Sequence, residues 1–148
     1  MPPRLCPTCR RISQGDALFC PRDGSRMEEG QRIVAGKFVL GRELGRGNMG
    51  TVYEAEQPAM NRKVAVKLLH GDLTRNLEMV ERFEREAQAA GRVRHPNVVT
   101  VYDCGSDEGQ GYLVMELLSG ETLGHRLARE GRLQPEVALP LWLAGVSA

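Results

Sequence analysis

The sequence predicts an α+β fold with a small separate module at its N-terminus, and three observations carry that prediction. Five short runs of alternating, β-branched and aromatic residues lie between Phe38 and Glu116, each bounded by turn signals. One helical stretch, Asn76 to Val93, interrupts them after the third run, with Val80, Phe83, Ala87 and Ala90 on one face at spacings of three and four. Three of the four cysteines fall within the first twenty residues, in a segment too small to bury a core.

At 148 residues the chain has room for one full domain, or for a small module and part of a larger one. Its 41% hydrophobic and 26% charged residues are those of a soluble globular protein. A net charge of +1 gives no reason to expect bulk attraction to nucleic acid or membrane. No apolar run reaches the length of a membrane span, and MPPRLCPTCRR lacks the apolar core of a secretory signal. A cytoplasmic location is therefore expected, where clustered cysteines are reduced and read better as metal ligands than as disulfides.

Residues 1–26 form the first unit. Cys6-Pro-Thr-Cys9 is followed by Cys20-Pro-Arg-Asp23, two similar turns joined by one loop, which is the layout of a zinc ribbon. Cys6, Cys9 and Cys20 are the expected Zn2+ ligands, with Asp23 as the fourth where a cysteine would be usual. The alternative is that Asp23-Gly24 is only a hairpin turn, and that water or Asp16 completes the site. Cys104, in a later apolar strand, reads as a small buried residue. Residues 27–36 (MEEGQRIVAG) read as a linker.

Gly45-x-Gly47-x-x-Gly50 is a weak signal by itself. Thr51 to Glu56 after it alternates like a strand, and Phe38 to Leu44 before it is strand-like too, so the glycines cap a β-hairpin. A dinucleotide site needs a helix there, and no G-K-[ST] of a Walker A loop is present. Val64-Ala65-Val66-Lys67 is a short apolar strand ending in lysine. On the helix, Glu86 lies beside Phe83 and Ala90, at or near the apolar face, where an unpaired carboxylate is costly. His95-Pro96-Asn97-Val98-Val99 leads into a fourth strand through Tyr102, and Tyr112 to Glu116 is the fifth.

In this order, these motifs resemble the bacterial branch of the eukaryotic-type serine/threonine protein kinases. The resemblance runs from Phe38 to about Leu139 and implies a kinase N-lobe over residues 37–118: a five-stranded antiparallel sheet and the family's αC helix. It implies ATP as ligand, with Gly45, Gly47 and Gly50 as the flap over its phosphates and Lys67 reaching them. It pairs Lys67 with Glu86; Glu84 and Glu81 are the alternatives, and the competing view is a solvated helix face with an Arg82–Glu86 pair. Leu44, Val52 and Ala65 would roof the adenine, Met115 would be the gatekeeper, and backbone groups at Glu116 and Leu118 would meet the base. Asn48 stands where this group commonly has glycine, and asparagine tolerates positive φ.

Residues 119–148 are expected to be the start of a truncated C-lobe, helical over Thr122–Glu130 and again from Gln134, with Pro140 breaking the second helix. Leu139, Leu141, Trp142, Leu143 and Val146 should then be left without packing partners. H-R-D, D-F-G and A-P-E motifs do not occur in the sequence, and with them go the catalytic aspartate and the Mg2+ ligands. The expectation is the ATP-binding part of a kinase that phosphorylates protein substrates when complete and is inactive as this chain alone. The alternative is a non-catalytic zinc-ribbon and kinase-lobe interaction module. Nucleic-acid binding is the least supported reading, although Arg4, Arg10, Arg11, Arg22 and Arg26 make the ribbon locally basic.

Overall fold

The computed structural model describes residues 3–13, 16–71 and 77–146. Two two-residue strands, β1 (Arg4–Leu5) and β2 (Ile12–Ser13), pair antiparallel at the N-terminus. They are followed by β3 (Ile33–Val34), β4 (Phe38–Arg46), β5 (Gly50–Gln57), β6 (Arg62–Leu69), helix α1 (Leu77–Ala90), β7 (Val101–Asp107) and β8 (Gln110–Glu116). Helices α2 (Leu123–Glu130) and α3 (Pro135–Val146) close the described chain. The main sheet is six-stranded and antiparallel, in the order β3-β4-β5-β6-β8-β7.

Local chemistry explains each turn. A 3-10 turn over Pro58–Met60 opens with the preset φ of proline and closes with Asn61 at φ 48°. The β7–β8 hairpin turns at Glu108 (φ 48°) and Gly109 (φ 80°), both left-handed as a two-residue turn between twisted strands requires. At the glycine hairpin the Gly47 N–H donates to the Gly50 carbonyl at 2.9 Å.

Strand alternation places the core on one face of the sheet. Leu40 pairs with Ala55 and Ala55 with Val64; Val66 pairs with Val114; Leu68 pairs with Tyr112. These residues, with Val34 and Phe38, form one buried cluster. The rings of Phe38 and Tyr112 meet at 6.3 Å between centroids. Each fully buried aliphatic or aromatic side chain contributes roughly 1.5–3 kcal/mol, which makes this face the main source of stability. Residues one step out of phase, among them Val52, Ala65, Lys67, Leu113 and Met115, point to the other face. There α1 packs on β7 and β8 through buried Phe83 and Ala87.

Several expectations need correction. A sixth strand, Ile33–Val34, lies in the stretch read as a linker, and Met27 at the other end of that stretch is buried against Cys6 and Cys20. The linker reading rested on charge and glycines, while two apolar residues suffice to extend a sheet edge. The strand expected to run through Tyr102 follows the expected turn, in which Val98 N–H donates to the His95 carbonyl, but it spans Val101–Asp107. Helix α1 ends at Ala90; Asn76, at its expected start, lies outside the described residues. Pro140 sits inside α3, where losing one N–H bond does not end the helix. Asn48 is not among the positive-φ residues, so no left-handed turn is required there.

Candidate functional site

Cross-strand register assembles a row of candidate ligand contacts from three separate sequence motifs. Gly45 pairs with Val52, Val52 with Lys67, and Lys67 with Leu113, forming one row across β4, β5, β6 and β8. The neighbouring row on the same face runs Glu54–Ala65–Met115. Paired residues share a face, so Val52, Ala65, Lys67 and Met115 are brought together opposite the apolar core.

The glycines have unequal reasons to be glycine. A Cβ on Gly50 would stand 2.2 Å from the Leu68 carbonyl oxygen, so close approach of β5 to β6 demands that residue. Gly45 and Gly47 have nothing within 4 Å of such a Cβ. Packing leaves them free, and a bare backbone at the hairpin tip is what a phosphate-cradling flap needs.

Lys67 is half-buried and makes no ion pair among the described residues. Glu86 is not its partner in this structure. Its carboxylate lies 2.8 Å from Arg82 Nε, with 62% of the side chain exposed. Phe83 and Ala87 define the apolar face of the helix, and Glu86 is exposed at its rim, paired with Arg82 one turn away as the competing view held. Glu84 is the half-buried glutamate among the described residues of the helix; burial, and then the charges of Asp103 and Glu84, raise the Cys104 thiol.

Following β8, the Glu116 N–H donates to the Thr100 carbonyl at 2.9 Å, and the chain continues through half-buried Leu117 to exposed Leu118. Leu44 and Leu118 line an open cleft of about 580 Å³, along with Leu117, Glu54, Lys63 and His125. Glu54 escaped the sequence reading. Lys63 Nζ at 2.7 Å and Arg42 Nε at 2.8 Å hold its carboxyl below the usual range, tying the mouth of the cleft together. Its phase with Val52 was the available signal.

The N-terminal turns repeat one another bond for bond. Arg10 N–H donates to the Cys6 carbonyl and Gly24 N–H to the Cys20 carbonyl; Cys6 N–H donates to Arg11 and Cys20 N–H to Ser25. Arg10 (φ 58°) and Gly24 (φ 73°) occupy equivalent left-handed positions. Asp23 thereby stands where Cys9 stands in the first turn. The ligand atoms of Cys6, Cys9, Cys20 and Asp23 lie within 4.8 Å of one another. Cys9 and Cys20 sulfurs are 3.5 Å apart, and Cys6 Sγ is 3.4 Å from an Asp23 oxygen. A tetrahedron with metal–sulfur bonds of about 2.3 Å has edges near ~3.8 Å, so the donor set and spacing fit such an ion.

Electrostatics follow the same geometry. Asp23 is held well below the usual carboxylate range, first by the Ser25 N–H at 2.9 Å and then by Cys9. The Cys9 thiol is pushed up to about 12, chiefly by the adjacent Asp23. Burial raises Cys20, but the N–H groups of Arg22 and Asp23 outweigh it and leave that thiol lowered. Asp16 is exposed and outside this cluster.

Residues 38–147 match the protein kinase domain family. The chain is 40% identical over 119 residues to serine/threonine-protein kinase PrkC of Bacillus subtilis, covering 80% of this chain and 18% of that protein. It is 44% identical over 109 residues to pkn2 of Myxococcus xanthus, covering 74% of this chain and 13% of the relative. It therefore spans less than a fifth of the length of either relative. Among solved structures, the Mycobacterium tuberculosis PknI kinase domain superposes with a TM-score of 0.68 at 26% identity, over 79% of this chain and 47% of that one.

Proposed function

The chain belongs to the protein kinase family, and from that membership we propose that residues 37–118 bind ATP as the N-terminal lobe of a serine/threonine kinase. The observation that carries this reading is the row Gly45–Val52–Lys67 beside Ala65 and Met115 on the face opposite the core. The bare backbone of Gly45 and Gly47 would lie over the phosphates, and the Lys67 ammonium would neutralise charge on them. Leu44, Val52 and Ala65 would cover the adenine, with backbone groups of Glu116 and Leu118 meeting its edge. Glu86 would hold Lys67 once its carboxylate leaves Arg82.

The chain's own residues supply no catalytic base and no Mg2+ ligand of the H-R-D or D-F-G type. Phosphoryl transfer to protein substrates is accordingly proposed for a protein that carries those motifs as well. No helix among the described residues is long and apolar enough to cross a membrane, and the reducing, ATP-containing cytoplasm suits both sites.

Residues 1–26 are proposed to hold Zn2+ through Cys6, Cys9, Cys20 and Asp23, the ion supplying folding energy that so small a segment lacks. Met27 belongs with this unit, and residues 119–148 begin the second lobe.

The test is titration of the chain with ATP, alongside metal analysis. Lys67→Met should weaken ATP binding by roughly tenfold or more, since a charge-assisted contact to phosphate is lost; unchanged affinity would sink the nucleotide reading. One equivalent of zinc should copurify and be lost in Cys20→Ser.

A further inference from the structure

Between the cysteine knuckle and the sheet lies a second cleft, of about 650 Å³, away from the proposed nucleotide face. Five cations border it: Arg10, Arg11 and Arg22 from the two knuckle turns, and Lys37 and Arg62 from the sheet. The acids do not balance them. Arg10 is engaged with Glu56 at 2.5 Å and Lys37 with Asp103 at 3.6 Å. Arg62 donates to Gln57, a neutral acceptor. Arg11 and Arg22 are exposed and make no ion pair among the described residues. Arg11, Arg22 and Arg62 thus border one concavity with no ion-pair partner among the described residues, in a chain whose net charge is only +1.

We propose that this cleft binds a phosphorylated peptide segment. A phosphoserine or phosphothreonine carries close to two negative charges and three acceptor oxygens, which a fork of arginines matches. At about 650 Å³ the cleft is of ligand-pocket size, with room for a phosphorylated side chain and its immediate neighbours. A nucleic acid is disfavoured because one face of the Tyr102 ring is already covered by the Arg62 guanidinium, 3.9 Å from its centroid, which leaves less of that ring for base stacking. The proposal rests on the kinase reading above, because phosphorylated serine and threonine are the products of that activity.

The experiment uses the zinc-loaded chain and fluorescence anisotropy. The probes are a degenerate pool of phosphothreonine peptides, its unphosphorylated twin and a single-stranded RNA oligonucleotide. The phosphorylated pool should bind roughly tenfold or more tightly than its twin, and the R11A/R22A variant should erase that preference while zinc content and ATP affinity stay unchanged. Equal binding of the two pools, tighter binding of the RNA, or a preference that survives R11A/R22A overturns the proposal. ATP titration of the same sample separates the two ideas. Retained ATP binding without phosphopeptide preference removes only the cleft, whereas absent ATP binding removes the kinase reading itself.

Discussion

The first thirty residues bury Leu5, Cys6, Cys20 and Met27 and little else, whereas the sheet buries Phe38, Val64, Val66, Leu68 and Val114 against one another. The knuckle's interior consists largely of the groups that would bind the ion. Its regular structure among the described residues is two two-residue strands, two isolated β-bridges (Leu5 with Glu28, Phe19 with Arg26) and a pair of hydrogen-bonded turns. The sheet repeats the same alternation across adjacent strands and needs no ligand to close its core. One region should depend on chemistry and the other on buried area, and among the described residues one ion pair, Arg10–Glu56, spans them.

Metal removal should break that contrast most visibly. Excess chelator is expected to abolish protected amides over residues 3–27 while protection of β5, β6 and β8 persists, since structural zinc contributes on the order of 10 kcal/mol to domains of this size. Hydrogen exchange reads both regions at once; simultaneous loss in the sheet would show that the core also depends on the ion. Phe38→Ala is the converse test. It should cost the sheet about 3–5 kcal/mol in denaturant unfolding and leave zinc content intact.

Gly50→Ala tests backbone packing instead of core volume. The new methyl meets the Leu68 carbonyl at 2.2 Å, so a loss of about 1–3 kcal/mol is expected, as for other overpacked sites. Gly47→Ala at the open tip should shift the unfolding midpoint far less. Asp23→Cys would complete a four-thiolate set and is expected to tighten zinc binding in a competition titration. A weaker site would show that Asp23 is tuned to its turn by the Ser25 N–H. The smallest effect belongs to Arg10→Ala: both partners are more than a third exposed, so less than about 1 kcal/mol should be lost.

Most of the candidate site was legible because it depends on local spacing. G-x-G-x-x-G before an alternating run places glycines at a hairpin tip, and paired C-P-x-(C/D) turns place four ligand atoms around a point. Glu86 was misplaced for a related reason. Periodicity locates a residue to within one step on a helix face, and at the rim that step decides between the sheet and solvent. Glu54 was passed over because a strand glutamate in alternation reads as solvent-facing, while its two cationic partners come from β4 and β6.

What the sequence determined by itself was the order of most elements, the turns, the core face and the candidate ligand-binding residues, since each follows from residues within a few positions of one another. Only the tertiary structure decided which distant residues share a row, why Gly50 must lack a side chain, and that Ile33–Val34 joins the sheet. It also decided that Arg11 and Arg22 share a cleft with Lys37 and Arg62. Those outcomes depend on cross-strand register and on the docking of one unit against another, which no local pattern encodes.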